Sequence, residues 1–260
     1  MGQKLFDAHF HIIDPAYPLA GNNGFTPDFY TVSDYLAELA PLRYELVGGA
    51  VVSGSFQAYD QTYFAGALGA LGKGFVGVTQ LDPAASDEEI ARLDELGIRA
   101  IRFNLYRGLK GSVRDIEVLA TRVFGLCGWK TELYLDATKI DRELDELIMR
   151  LPAVSIDHLG MGRLESPELL LKYVGAGVGL RVTGFGRIEY EREEVGELLG
   201  RLYAENPSAL MFGTDLPATR ARYRFSDADV SLVKGALGEA AAQDILWRNG
   251  VRWYLGIDGE

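Results

Sequence analysis

The chain of 260 residues carries a formal net charge of −11, with 48% hydrophobic and 24% charged residues. The basic residues are scattered and form no stripe, so the negative charge of the chain would repel the phosphates of a nucleic acid. We therefore expect no nucleic-acid partner. No run approaches the roughly 18 apolar residues of a membrane span, no secretory signal pattern is present, and the single cysteine, Cys127, excludes an internal disulfide. We therefore expect a cytoplasmic protein without a membrane partner.

Short β-like runs alternate with amphipathic helical stretches, a pattern typical of parallel βα units. Eight strands are predicted, at residues 3–9, 46–53, 74–80, 98–104, 131–136, 152–158, 178–183 and 209–214. Eight such units in about 250 residues are what a TIM barrel requires. The sequence therefore predicts an α/β fold, a (β/α)8 TIM barrel, with residues 1–260 forming a single domain.

Helix boundaries are marked by capping residues between these strands. Ser86 and Glu89 have the spacing of a capping box, and Gly97 is suited to end the same helix in a left-handed conformation. Segment 14–45 is predicted to begin as a loop and to become helical from about Thr31. Further helices are predicted between Ser86 and Gly97, over residues 139–151, and after Ser166 and Pro167. One long last helix is predicted over residues 226–247.

All three histidines of the chain stand at predicted strand ends. Side chains alternate between the two faces of a strand, so His9 and His11 share one face of the first strand. His158 closes the sixth strand and Asp215 ends the eighth. Because barrel enzymes carry their active sites at the carboxyl ends of the strands, we expect these four side chains to converge. The alternatives are three separate structural histidines, and an Asp215 that only caps a following segment.

Arginines and neighbouring polar side chains form a second candidate set. Strand alternation and proximity to strand ends select Arg102, Asn104, Tyr134, Arg163, Arg181 and Arg187 as candidate substrate-binding residues. Guanidinium groups at a barrel mouth suit bidentate binding of a carboxylate, so the expected partner is a small anionic molecule. The alternative for each arginine is a structural ion pair with Asp7, Asp136 or Asp157. Cys127 is interpreted as a core residue.

Five segments occur in the order found in the amidohydrolase superfamily. They are Asp7–His11, Gly97–Asn104, Ile156–Gly160, Gly184–Arg187 and Phe212–Pro217. The chain therefore resembles this superfamily, and within it the TIM-barrel metal-dependent hydrolases that include 2-pyrone-4,6-dicarboxylate lactonase and sugar lactonases. The C-terminal segment Ile245–Gly250 also resembles the last helix of that branch.

The resemblance implies a role for each member of the first set. His9 and His11 would be the first-strand metal ligands, His158 the sixth-strand histidine and Asp215 the eighth-strand acid, whereas Arg102 and Arg187 would bind a substrate carboxylate. No histidine ends strand five and no lysine ends strand four, departures that disfavour a binuclear centre. One divalent ion, preferably zinc, or a metal-free site as in the dicarboxylate lactonase branch is then expected.

The sequence thus predicts a hydrolase, specifically a lactonase acting on a small carboxylate-bearing or sugar-acid lactone. Asp215 is the predicted general base and His158 a second catalytic residue. The carbonyl would be polarised by one ion held by His9, His11, His158 and Asp215, or by imidazole and guanidinium hydrogen bonds. A decarboxylase of the aminocarboxymuconate type, which usually uses a further histidine, and a non-catalytic barrel that binds an acidic metabolite are the alternatives.

Overall fold

The computed structural model describes residues 2–21, 24–106 and 112–257. Its strands are β1 (Lys4–Phe10), β2 (Glu45–Val52), β3 (Phe75–Thr79), β4 (Ile98–Asn104), β5 (Lys130–Tyr134), β6 (Val154–Ile156), β7 (Gly179–Val182) and β8 (Leu210–Phe212). Consecutive strands pair in parallel, and the order in the sheet follows the chain from β1 to β8. The predicted (β/α)8 barrel is confirmed, and each predicted strand is present with ends shifted by a few residues.

Helices follow the strands and cover the outside of the barrel. They are α1 (Val32–Leu39), α2 (Tyr63–Leu71), α3 (Asp87–Leu96), α4 (Val113–Cys127), α5 (Arg142–Arg150), α6 (Glu168–Gly175), α7 (Arg192–Glu205), α8 (Asp227–Leu237), α9 (Glu239–Gln243) and α10 (Asn249–Leu255). One half of the predicted capping box forms, since the Ser86 side chain accepts from the Glu89 amide at the start of α3. Gly97 ends that helix with φ 108°, as predicted. Within the described ranges, no helix is long and apolar enough to cross a membrane.

The prediction of one continuous helix over residues 226–247 is wrong. Helix α8 ends at Leu237, because Gly238 adopts φ 80° and ψ 161°, outside the helical region. After α9, a π-helical turn over Asp244–Arg248 leads into α10, so the helical region continues to Leu255. Glycine tolerates a positive φ without the steric cost that other residues incur, which makes Gly238 the natural breaking point.

The apolar core lies between the outer faces of the strands and the helices. Phe10 of β1 stacks on Tyr35 of α1 with ring centroids 4.1 Å apart, and both side chains are completely buried. Full burial of a large apolar side chain contributes about 1.5–3 kcal/mol. The opposite face of the strands carries buried polar residues instead, among them His9, Arg102 and Asn104. These residues therefore lie inside the barrel rather than in the helix-facing core.

The barrel closes where β1 meets the segment after β8. The Asp215 amide donates to the His9 carbonyl at 2.8 Å. Buried Asp7 accepts from the Thr214 amide at 2.8 Å and from its hydroxyl at 2.6 Å. At Gly213, an added Cβ would lie 2.7 Å from the His9 backbone nitrogen, so only glycine allows this approach. The closing seam thus brings His9 and Asp215 side by side.

Candidate active site

The carboxyl ends of β1, β6 and β8 bring together four of the predicted residues, all of them buried. Oδ1 of Asp215 faces three imidazole Nε2 atoms, at 3.6 Å from His11, 3.8 Å from His9 and 3.9 Å from His158. These separations exceed normal hydrogen-bond lengths. The carboxylate oxygen and the rings therefore surround a small polar space instead of bonding directly.

The backbone is strained at two of these positions. His158 has φ 50° and Asp215 has φ 58°, values that are uncommon for residues other than glycine. Each costs on the order of 1–3 kcal/mol and persists only where the surroundings impose it. The His158 ring rests on Gly184, where an added Cβ would lie 2.5 Å from Nδ1 and where φ is 66°. Gly184 therefore leaves the room that the His158 ring occupies.

The charge states of the site follow from burial and from neighbouring charges. Burial lowers the pKa of all three histidines, that of His158 to about 3. Burial raises the pKa of Asp215, but the lowering effect of its neighbours, first among them the positive charge of Arg187, outweighs it, so this pKa lies well below its ordinary value. At neutral pH the site holds a carboxylate and neutral imidazoles. A general base and a set of metal ligands both require that state.

Two of the predicted arginines are bound to buried acids beside the histidines. Arg187 Nε donates to Asp215 Oδ2, and Arg102 Nε donates to Asp157 Oδ2 at 2.8 Å. The Arg102 guanidinium also lies over the Tyr134 ring, 4.8 Å from its centroid. Arg102 thus has one of the ion-pair partners considered for it, Asp157, whereas Arg187 pairs with Asp215, which was not among them. Both arginines also face the pocket described next.

A pocket opens above these groups. The predicted residues that line it are His11, Arg102, Asn104, Tyr134, His158 and Arg187. Loop residues complete the lining, namely Phe25, Gly54, Ser55, Phe56, Thr219 and Arg220. The Arg220 guanidinium lies 3.9 Å from the centroid of the Phe25 ring. Three guanidinium groups thus surround a pocket in a chain that is acidic as a whole.

Sequence reasoning missed Arg220 and Phe25. Arg220 follows Asp215 by five positions, in the loop after β8. Because the loops that follow barrel strands form the pockets of such folds, its position was a usable sign of its place in the lining. Phe25 lies in the long segment between β1 and α1, whose pattern gave no sign of its contact with Arg220.

Two other predicted arginines lie away from this pocket. Arg163 is on the outer surface, with its side chain 53% exposed, and it pairs with Glu194 of α7. Arg181 points into the barrel as the strand alternation predicts, but it is completely buried and pairs with Glu132 at 2.7 Å. In the described part of the chain neither lines the pocket. Structural ion pairs account for both, and their placement gives no support to the predicted binding of substrate.

The donor set of the site fits one divalent ion. Two groups have ligand atoms within 4.8 Å of one another: His9 with His11 and Asp215, and His9 with Asp157 and His158. In the described structure, His9 Nε2 and Asp215 Oδ1 are buried without a hydrogen-bond partner, and a cation between them would offset that cost. Asp157 is already paired with Arg102, so the first group is the better site.

Comparisons with known proteins show the family and the fold. Residues 6–255 match a family described as Amidohydrolase. A 2-pyrone-4,6-dicarboxylate hydrolase of Comamonas testosteroni is 26% identical over 241 residues, which cover 81% of this chain and 76% of that protein. An apo structure from Agrobacterium tumefaciens superposes with a TM-score of 0.82 at 18% identity, covering 97% of this chain and 96% of that one. A probable 2-pyrone-4,6-dicarboxylic acid hydrolase of Acinetobacter baumannii, with citric acid bound, gives a TM-score of 0.79 at 18% identity, covering 97% and 99%.

Proposed function

The chain belongs to the amidohydrolase family, and from that premise we propose that it hydrolyses the ring ester of a small lactone that carries carboxylates. The observation that carries this proposal is Asp215, whose Oδ1 faces three imidazoles while Oδ2 pairs with Arg187 beside the pocket. The sequence similarity to the 2-pyrone-4,6-dicarboxylate hydrolase of Comamonas testosteroni supports this class of substrate.

Recognition of an anion is argued from the charge of the pocket lining. The chain is negative overall, yet Arg102, Arg187 and Arg220 line one pocket, which would attract an acidic molecule. A guanidinium has five N–H donors, and the contacts of Arg102 to Asp157 and to the Ser53 carbonyl engage two of them. We assign Arg102 and Arg187 to the substrate carboxylates, with Asn104 and Tyr134 as neutral partners.

The proposed reaction is the attack of a water molecule on the lactone carbonyl carbon. The ring C–O bond then breaks, and the ring oxygen takes up a proton. Asp215 Oδ1 would accept the proton of the attacking water and pass it to the leaving oxygen. His158 is assigned to a place beside that water, because its Nε2 faces the same oxygen of Asp215. Hydrogen bonds from the His158 imidazole and from guanidinium groups would stabilise the negative charge on the carbonyl oxygen.

We further propose that His9, His11 and Asp215 hold at most one divalent ion. Zinc is the ion preferred by two imidazoles and a carboxylate, and three protein ligands leave a position open. When bound, such an ion lowers the pKa of a water molecule and polarises a carbonyl. His158 was predicted as a further ligand, and the distance of 3.9 Å between its Nε2 and Asp215 Oδ1 keeps it beside the same space. A metal-free site, with N–H groups alone acting on the carbonyl, is the alternative.

The whole chain is proposed to work as one domain in the cytoplasm. The family match over residues 6–255 includes nearly its full length. A single cysteine, Cys127, is compatible with a reducing compartment, and burial raises the pKa of its thiol. Cys127 is only partly buried and packs against the core instead of lying in it, which corrects the prediction of a core residue. Because the pKa of its thiol is raised overall, an unreactive cysteine is the better interpretation.

A substrate panel tests the proposal. The purified chain is incubated with 2-pyrone-4,6-dicarboxylate, with the corresponding 4-monocarboxylate and with the neutral 4,6-diamide, and loss of the ring absorbance is followed. We expect turnover of the dicarboxylate, slower turnover of the monocarboxylate and least of the diamide. Release of CO₂ with an intact ring would indicate a decarboxylase instead, and tight binding without any turnover would indicate a non-catalytic barrel.

A further inference from the structure

Asp157, directly after β6, has two carboxylate oxygens that face different groups of the site. Oδ2 accepts from Arg102 Nε at 2.8 Å, whereas Oδ1 lies 3.6 Å from His9 Nδ1. Both side chains are completely buried. In the described structure, Asp157 Oδ1 and His9 Nδ1 each lack a hydrogen-bond partner. Two such atoms that face each other are best satisfied by sharing one proton, because leaving a buried donor and acceptor unpaired is costly.

We propose that Asp157 is a positioning residue that fixes the tautomer of His9. A neutral imidazole carries one ring proton, and an acceptor behind Nδ1 holds the proton there. The lone pair of Nε2 then points toward the space in front of Asp215. This inference concerns the proposed active site and so rests on the proposed function, but the tautomer itself is a property of the protein without substrate.

The opposite side of the ring supports the same assignment. Nε2 of His9 lies 3.8 Å from Asp215 Oδ1, against 3.6 Å between Nδ1 and Asp157 Oδ1. Asp215 Oδ1 also faces Nε2 of His11 and of His158, so three rings share it. In the described structure, His9 is the one imidazole within 4 Å of Asp157. The closer and unshared acceptor therefore favours a proton on Nδ1 and a bare Nε2.

His11 has the same arrangement with a different acceptor. Its Nδ1 lies 2.7 Å from the Val52 carbonyl, which can only accept, so Nδ1 carries the proton. Nε2 of His11 is then bare as well and lies 3.6 Å from Asp215 Oδ1. Histidines whose bare nitrogen serves a metal or a water molecule generally donate the other ring N–H to a carboxylate or a carbonyl. His11 uses the carbonyl, and we infer that His9 uses the carboxylate.

Arg102 makes the proposal testable, because it competes with His9 for Asp157. In the Asp157→Asn variant only one side-chain oxygen remains for two donors. A hydrogen bond from a charged guanidinium is stronger than one from a neutral imidazole, so the oxygen should stay on Arg102. The amide NH₂ of the new side chain then faces His9 Nδ1, which has to accept. The ring proton is thereby moved to Nε2, and the tautomer of His9 reverses.

The tautomer can be read in long-range ¹H–¹⁵N correlation spectra of the full chain with ¹⁵N-labelled histidine, without added metal or substrate. Three histidines give three ring patterns, which the His11→Gln and His158→Gln variants assign. We expect protonated Nδ1 on His9 in the parent and protonated Nε2 in Asp157→Asn. In the double variant Asp157→Asn/Arg102→Met, the oxygen is released from the guanidinium and can turn to His9, so the proton should return to Nδ1.

The double variant separates positioning from a general structural effect. Both variants lack the ion pair between Asp157 and Arg102, so damage from its loss alone would affect both in the same direction. A bare Nδ1 in the parent, or an unchanged tautomer in Asp157→Asn, would overturn the proposal. If Asp157→Asn does not fold, the tautomer of His9 in the parent and in the double variant still tests the proposal.

Kinetics give a second readout for the same variant. With the wrong tautomer, kcat should fall about 10²-fold or more, as expected when an active-site imidazole is held in the wrong tautomer, while KM changes little because Arg102 stays in place. A fall in kcat/KM of the same size that comes entirely from a higher KM would contradict the assignment. If the parent hydrolyses no lactone but its tautomer is the expected one, the proposed function fails and the role of Asp157 stands.

Discussion

Arg187 Nε donates to Asp215 Oδ2, and the two side chains form a buried ion pair beside the pocket. The pair fixes one carboxylate oxygen and leaves the other facing three imidazoles. Because the positive charge of Arg187 helps to keep the pKa of Asp215 low, the carboxylate is ionised and available to accept a proton. Oδ1 is thereby the oxygen on which hydrolysis should depend.

Replacing Asp215 by asparagine tests that dependence. Asp215→Asn should lower kcat by about 10²-fold or more, the scale of a positioned general base. The fold should survive, since the amide oxygen can still accept from Arg187. The matched control is Asp229→Asn, which alters another buried carboxylate, paired with Arg192 at 2.8 Å but away from the pocket. Both variants should have a lower melting temperature than the parent, because each loses the ion pair of a buried carboxylate. Only in Asp229→Asn should kcat stay unchanged. Parent-like turnover by Asp215→Asn would make Asp215 a structural residue.

Gly184→Ala should displace His158 and reduce turnover. The new Cβ would meet Nδ1 of the ring at 2.5 Å, and the backbone has φ 66°. Gly177→Ala is the control, because Gly177 has φ 89° but nothing lies within 4 Å of its added Cβ. Both variants should lose about 1–3 kcal/mol of the free energy of unfolding from backbone strain. Only Gly184→Ala should also lower kcat; equal kcat in the two variants would show that the contact with His158 does not matter.

Arg102→Met should raise KM for the dicarboxylate and hardly affect the neutral diamide. Loss of a charge-assisted contact typically costs about 1.5–3 kcal/mol, or about 10- to 150-fold in binding. The variant should also be less stable, because Asp157 is left without its guanidinium partner. Arg163→Met is the control, since the exposed pair with Glu194 contributes about 0–1 kcal/mol and Arg163 lies outside the pocket. A similar loss for both substrates would assign Arg102 a purely structural role.

The sequence was sufficient to predict the barrel and the four central residues for a physical reason. Strand alternation sets which side chains face inward, and the carboxyl ends of parallel strands meet at one mouth. His9, His158 and Asp215 follow these rules directly. Arg181 also obeys the alternation, but the rule carries no information about depth. Its partner Glu132 lies on β5, and both side chains are completely buried inside the barrel. The ion pair therefore holds the guanidinium away from the mouth.

Most of the remaining features depend on contacts that no local pattern encodes. Arg163 follows β6 closely, yet its direction is set by Glu194, which lies on a helix more than 30 residues away. The pocket contact between Arg220 and Phe25 joins two irregular loops from opposite ends of the chain. A continuous helix was predicted across Gly238 because apolar residues keep their helical spacing on both sides of it. The backbone nevertheless leaves the helical conformation at Gly238. Tertiary contacts therefore decided where the side chains of Arg163, Arg220 and Phe25 lie, whereas the break at Gly238 has a local cause in the glycine backbone.

The number of metal ions per chain is predicted to be one at most. The two candidate ligand groups both need His9, so filling both would require its two ring nitrogens to bind different ions. One of those groups also needs Asp157, whose other oxygen is held by Arg102. Arg102 and Arg187 add positive charge beside the site, which opposes a second divalent cation. Geometry and charge therefore favour a single ion in front of Asp215.

Elemental analysis of protein purified without added metal should accordingly find between zero and one divalent ion per chain. Zinc titration should saturate at one equivalent, and His11→Gln should weaken the affinity by about 10-fold or more, because a ligand whose orientation is fixed by the Val52 carbonyl is lost. Cys127→Ser is the control, because it removes the single thiol of the chain, which does not line the pocket. This variant should bind zinc like the parent. Two ions per chain would contradict the count. Full kcat after chelation, with no metal detected, would instead assign polarisation of the carbonyl to the N–H groups of His158 and of the guanidinium groups.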